Sequence, residues 1–175
     1  MDKDKILQLK EKILDVKDFP KNGIIFKDIQ PLLCDWNDIN YIVDNIKNNI
    51  KSDFDIVLGL DARGFILGPM IANKFNCGFG MARKPNKIPP PFKCIKYDLE
   101  YGTNELCVST NIIKHGMKVH IHDDLLATGG SAQAAINLIE QCGATVSSLS
   151  FIVELENLKG NDKLFDIPHH SVIKY

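Results

Sequence analysis

The sequence predicts a single α/β domain built on a mostly parallel sheet with helices on both faces. Three observations carry this. Short apolar runs alternate with amphipathic stretches at helical spacing, the order of strand–helix units. One run, Ile56-Val57-Leu58-Gly59-Leu60, has no polar face, as a strand buried on both sides requires. The 175 residues, 45% of them hydrophobic, suit one core and leave little room for a second, so residues 1–175 are read as one domain.

The elements follow in order. Ile6, Leu9, Ile13 and Leu14 recur at helical spacing and predict an amphipathic helix ending before Phe19-Pro20. Lys21 to Leu33 reads as irregular. Ile39, Ile42, Val43 and Ile46 form one face of a second helix over Trp36 to Ile50. The strand at Ile56 then passes through Asp61-Ala62-Arg63-Gly64 into a helix ending near Asn76. Further strands are expected at Gly78 to Ala82, Leu106 to Val108, Val119 to Ile121, Val146 to Val153 and Ser171 to Ile173, with a helix over Gln133 to Gln141. In such sheets ligands sit beyond the carboxyl ends of the strands.

Charge excludes some partners. Lysine plus arginine total 21 against 22 acids, a net charge of −1, which gives no global pull toward nucleic acid or a membrane surface. No apolar stretch is long enough to span a bilayer, and Met1 to Lys12 does not read as a signal peptide, so a soluble cytoplasmic protein is expected. The five cysteines (Cys34, Cys77, Cys94, Cys107, Cys142) are odd in number with no CxxC pair, which disfavours a disulfide framework and a zinc ribbon; reduced, mostly buried thiols are expected.

The segment richest in chemistry is Asp123-Asp124-Leu125-Leu126-Ala127-Thr128-Gly129-Gly130-Ser131. Gly129 and Gly130 let successive backbone N–H groups converge on one anion, and the helix start that follows adds free N–H groups and the positive end of its dipole. Thr128 and Ser131 add hydroxyl donors. The two carboxylates upstream would repel a phosphate but suit vicinal hydroxyls, which donate to them. The run therefore asks for a sugar phosphate. It lacks the lysine of a P-loop and the GxGxxG of a dinucleotide fold. The competing reading is a plain Gly-Gly turn with the aspartates in solvent or capping the helix.

This run resembles the phosphoribosyl-diphosphate-binding motif of the type I phosphoribosyltransferases, in a form similar to that of the adenine-specific members. Other segments agree in order: Phe19 to Ile29 resembles the family's base-binding segment, and Gly59-Leu60-Asp61-Ala62-Arg63-Gly64-Phe65 its diphosphate-binding loop. Arg83-Lys84 and Lys87 resemble its basic loop, Leu99-Glu100-Tyr101-Gly102 its catalytic segment, and Glu154-Leu155 with Leu158-Lys159-Gly160 its C-terminal stretch. The resemblance implies that fold with a small N-terminal hood over about residues 1–35, and transfer of the phosphoribosyl group from phosphoribosyl diphosphate to adenine. It implies ribose binding by Asp123 and Asp124, 5-phosphate binding by Ala127, Thr128, Gly129, Gly130 and Ser131, and diphosphate binding by Arg63, Lys84 and Lys87. It further implies catalysis by Glu100 and adenine binding by Ile25, Phe26 and Lys27, with Phe26 stacking on the base. Mg²⁺ is the implied cofactor, held mainly by substrate with no direct protein ligand, and a homodimer the implied assembly.

The chain departs from the pattern in places. Lys87 to Lys96 resembles a mobile lid, but Pro89-Pro90-Pro91 stands where a Pro-Gly is usual and favours stiff polyproline geometry. Lys27 and Asn161 stand where arginine is common. His120 and His122 share one strand face at positions usually apolar; with no third ligand spaced to help, hydrogen-bonded, partly buried rings are expected rather than a metal site. The charge of His122, beside Asp123, is expected to tune ribose binding near neutral pH. His169 and His170 read as surface. Two rival functions stay open: transfer to another base, and a non-catalytic sensor of phosphoribosyl diphosphate. Such sensors generally append a DNA-binding domain, for which this chain has neither room nor a basic patch.

Overall fold

The computed structural model describes residues 3–99 and 102–175. Among these, the centre is a parallel sheet in the order β4-β3-β7-β8-β9, formed by Ile56–Leu60 (β3), Gly78–Ala82 (β4), Lys118–Leu126 (β7), Thr145–Glu154 (β8) and His169–Lys174 (β9). Every residue of β3 is buried, as its unbroken apolar run requires. Trp36–Asn49 (α3) and Gly64–Phe75 (α4) join Lys3–Lys12 (α1) in an apolar cluster that includes Val57 and Ile173. Gly130–Gln141 (α5) packs into a second cluster with Leu58, Ile121 and Phe151. No helix among the described residues is long and apolar enough to cross a membrane.

The topology sets the site. The chain leaves β3 through α4 toward β4 on one side and leaves β7 through α5 toward β8 on the other. Between β3 and β7 the connections diverge, and the crevice at their carboxyl ends is where this sheet class binds ligands.

Several elements differ from the sequence reading, each through a partner distant in sequence. Leu14 ends no helix but opens Leu14–Lys17 (β1), which pairs antiparallel with Ile25–Asp28 (β2); a short helix, Gln30–Leu33 (α2), follows, so the stretch read as irregular is mostly ordered. Buried Asp38 on α3 takes hydrogen bonds from Lys5, at 2.7 Å, and Lys12, tying both ends of α1 to α3. Those bonds hold its carboxyl below the usual range although burial pushes it up.

Leu106 to Val108 is a strand, but not one of the central sheet. It belongs to Gly102–Ser109 (β6), paired antiparallel with Phe92–Leu99 (β5). The segment resembling a lid is therefore half strand. Cys94 and Cys107, opposed in that ladder, are disulfide-bonded; Cys34 is exposed and Cys77 and Cys142 only half-buried. This corrects the expectation of reduced, mostly buried thiols: residues far apart in sequence become neighbours only when the hairpin forms. His170 is half-buried, 2.7 Å from Asn45 Oδ1, rather than at the surface.

Candidate active site

The segment expected to cradle phosphate lies where β7 meets α5. Ala127, Thr128, Gly129, Gly130 and Ser131 line a small cavity of about 80 Å³ with Asp123 and Phe151. Gly129 caps α5 with φ of +75°, a left-handed conformation that costs glycine little and L side chains more. A Cβ there would also lie 2.4 Å from the carbonyl oxygen of Gly160. The sequence motif gave no sign of this second contact, because Gly160 comes from a distant turn.

Asp123 and Asp124 lie within β7, not at the end of a shorter strand, and their carboxyls interact with each other near the start of α4. Asp123 lines the cradle cavity; burial and its neighbour Asp124 push its carboxyl well above its ordinary value. Asp124 is buried on the α4 side, with Arg63 Nε 2.9 Å from its Oδ2. Burial raises its pKa, Arg63 pulls it down, and the net shift is upward. Arg63 reaches that carboxylate because α4 begins against β7: a Cβ on Gly64 would lie 2.6 Å from the His122 carbonyl oxygen.

Arg63 also touches the base segment. Its guanidinium carbon stands 4.7 Å from the centroid of the Phe26 ring, and both residues line a cleft of about 440 Å³ with Asp28, Ile29 and Ile66. Ile25 is exposed. Lys27 faces away: its Nζ is 2.6 Å from Asp15 Oδ1 and lies over the ring of Tyr175 at 3.9 Å from the centroid. So the structure brings Phe26, Arg63 and Asp124 together and leaves the Lys27 side chain out of that cleft.

The basic loop is less gathered. Lys84 lines another cavity, of about 320 Å³, with Asn86, Lys96 and Glu105, while Lys87 closes a short turn and is exposed. Arg83, left out of the sequence-based diphosphate set, lies closer to the crevice, with Nε 3.6 Å from Oδ2 of Asp61 in the loop after β3. Glu100 falls outside the described residues. Tyr97, unmarked by any motif, extends from β5 to the cradle, its hydroxyl 3.4 Å from Ser131 Oγ.

His120 and His122 are both fully buried. His120 Nδ1 and Nε2 each lie 2.8 Å from a serine hydroxyl, Ser148 and Ser150, and His122 Nδ1 is 2.9 Å from Ser150 Oγ. Burial pushes His120 down to about 3, with His122 adding to the effect, and pushes His122 down to about 4 against the pull of the Ser150 backbone. Both rings are therefore neutral throughout the physiological range, which corrects the expectation that the charge of His122 tunes ribose binding. The consequence lies in stability. Below about 6.5 the unfolded chain binds a proton that folded His120 refuses, so stability falls as pH drops from about 6.5 toward about 3. Between pH 7 and 5 this amounts to roughly 2 kcal/mol for one ring. His120→Gln is expected to lose about 2 kcal/mol less than wild type over that interval in urea melts; equal losses would contradict the account.

A family model described as a phosphoribosyl transferase domain matches residues 35–166. An adenine phosphoribosyltransferase of Halothermothrix orenii is 46% identical over 159 residues, covering 90% of this chain and 94% of its own length. One from Clostridium botulinum is 44% identical over 170 residues, covering 97% and 99%. Among solved structures, adenine phosphoribosyltransferase from Thermoanaerobacter pseudethanolicus superposes with a TM-score of 0.93 at 38% identity, covering 97% of this chain and 99% of that one. The Saccharomyces cerevisiae enzyme, solved with an imino-altritol bisphosphate and adenine, gives 0.90 at 32% identity with the same coverage. The sheet order, the cradle and the extent of these matches agree, and the chain belongs to the phosphoribosyl transferase domain family and, within it, to the adenine phosphoribosyltransferases.

Proposed function

We infer that the crevice between β3 and β7 carries out the reaction of that family, transfer of the phosphoribosyl group of 5-phosphoribosyl 1-diphosphate to adenine, giving AMP and diphosphate. One observation supports this above the others: Arg63 stands between Phe26, at 4.7 Å, and Asp124, at 2.9 Å, so one guanidinium links base, leaving-group and ribose regions. A protein that merely bound a sugar phosphate would need the cradle but no such junction with an aromatic cleft.

In this reading the N–H groups from Ala127 to Ser131 and the hydroxyls of Thr128 and Ser131 bind the 5-phosphate, and Asp123 and Asp124 accept from the ribose hydroxyls. Arg63 uses its outer nitrogens on the diphosphate while Nε keeps Asp124, and Lys84 and Lys87 add point charges. Arg83, nearer the crevice, joins them. Charge stabilisation at the leaving group is commonly a large part of catalysis. As C1–O cleavage runs ahead of bond formation, positive charge grows on the ribose; Glu100 is the carboxylate assigned to it, or to the purine proton. Phe26 stacks on adenine, the Ile25 backbone meets the base edge, and Lys27 contributes by fixing the ribbon through Asp15 and Tyr175.

Mg²⁺ fits the site through substrate: Arg63 Nε already holds Asp124 Oδ2 at 2.9 Å, and magnesium is commonly bound through substrate phosphates and water. The ion would be held mainly by substrate, with no direct protein ligand. When bound, the ion neutralises charge on the diphosphate oxygens. A homodimer and a cytoplasmic location belong to the same reading; exposed Leu14, Val16, Phe19 and Trp36 supply apolar surface for a second copy.

Steady-state kinetics of Phe26→Leu test the base site. Loss of stacking is expected to raise KM for adenine about tenfold, while KM for phosphoribosyl diphosphate stays within about twofold. An unchanged adenine KM would remove Phe26 from the base site.

A further inference from the structure

We propose that Cys94 and Cys107 form a reversible dithiol–disulfide site through which small-molecule disulfides set the mobility of the β5–β6 hairpin, and with it turnover; the turnover part rests on the transferase reading above. Cys94 and Cys107 face one another across the ladder and are bonded. They join two strands with different attachments. On one side, the backbone of Cys107 exchanges both hydrogen bonds with Arg83, at 2.8 and 2.7 Å, which anchors β6 to the end of β4 beside Asp61. On the other, β5 reaches the phosphate cradle through the Tyr97 hydroxyl, 3.4 Å from Ser131 Oγ, and α5 through Lys93 Nζ, which donates to Gln141 O at 2.6 Å. The bond therefore fixes the strand that touches the cradle to the strand rooted in the sheet. With the bond open, β5 is held by its ladder, these contacts and the packing of Ile95 and Tyr97 on the core, none of them covalent, and can move off the cradle when phosphate arrives or product leaves.

Access is one-sided in a way that suits exchange. Cys107 is fully buried and Cys94 only half-buried, so a soluble partner meets Cys94. With glutathione disulfide as oxidant, the Cys94 thiolate attacks one sulfur and expels a glutathione thiolate. The Cys107 thiolate then attacks Cys94 Sγ and expels the second. Two protons leave the protein thiols and two glutathione thiolates take them up, so one disulfide is made for one consumed. Glu105 stands in the same cluster, with one ligand atom of each residue within 4.8 Å of the others. A divalent metal held by the two thiolates and Glu105 is the competing use.

The full-length protein is reduced with dithiothreitol, freed of it, and titrated with glutathione disulfide. Alkylation mass, hydrogen exchange of β5 and transferase kinetics are read on each sample. The expected result is two alkylatable thiols lost together on oxidation, slower exchange of β5 amides, and a kcat at least about threefold lower, reversed by dithiothreitol. Cys94→Ser and Cys107→Ser are expected to keep fast exchange and full kcat at every glutathione ratio. If both thiols stay alkylatable, or the reduced protein carries stoichiometric zinc that blocks oxidation, the site assignment fails. A disulfide that forms without changing β5 exchange overturns the mobility claim. Equal kcat in the two states of an active enzyme overturns the effect on turnover, whereas absence of activity in both states with a normal thiol response would count against the transferase reading instead.

Discussion

Gly129→Val is expected to lower kcat/KM for phosphoribosyl diphosphate by about a hundredfold or more, the largest effect of any single cradle substitution. Two costs act together. A β-branched residue at φ of +75° is strained by roughly 1–3 kcal/mol, and its Cβ would meet the Gly160 carbonyl oxygen at 2.4 Å, a backbone atom with no flexible side chain to yield. The turn must open, and the N–H groups at the start of α5 then no longer point at one centre. The structural part shows in the melting temperature. The functional part shows in phosphoribosyl-diphosphate binding by folded protein at a temperature well below the melt. A variant that folds and binds normally would show that the conformation of Gly129 is dispensable to the cradle. Gly129→Ala separates the two costs, since it keeps the clash and carries less of the strain.

Arg63→Ala is expected to cost about 10²–10³ in kcat/KM, comparable to removing a donor from a charge-stabilising site. Arg63→Lys should recover part of this, because a point charge replaces the planar fork but cannot serve diphosphate and Asp124 together. The pH profile distinguishes this from loss of a surface cation. Burial already raises the Asp124 carboxyl, and Arg63 is the group that pulls it down. Without the guanidinium, Asp124 keeps its proton to higher pH, so activity of Arg63→Ala is expected to rise at a higher pH than that of wild type. A loss of less than about twofold with an unshifted profile would make Arg63 one of the ordinary solvated basics.

How far such a site can be read from sequence depends on whether its parts are local. The burial of β3 was legible because five consecutive apolar residues suit only a strand covered on both faces. The gathering of Ala127 to Ser131 around one cavity was legible because they form one continuous segment. The β5–β6 hairpin was not: Phe92–Leu99 becomes a strand by pairing with Gly102–Ser109, and the cysteine pairing follows from that register. Lys27 looked like a base contact by position in its motif, yet Asp15, across the ribbon, and Tyr175, at the end of the chain, hold its amine. The neutrality of His120 and His122 depends on burial in the middle of the sheet, where the serines they meet come from the neighbouring strand β8. Each of these contacts joins residues distant in sequence.

Every role proposed for Asp123 to Ser131 depends on transfer of a phosphoribosyl group to adenine. The most direct measurement supplies the purified protein with phosphoribosyl diphosphate, Mg²⁺ and an equimolar mixture of adenine, guanine, hypoxanthine, xanthine and orotate, and identifies the nucleotides by mass. The account predicts AMP and diphosphate in equal amounts, with the other bases left unconverted. Formation of another nucleotide in preference to AMP, or of none, would contradict it.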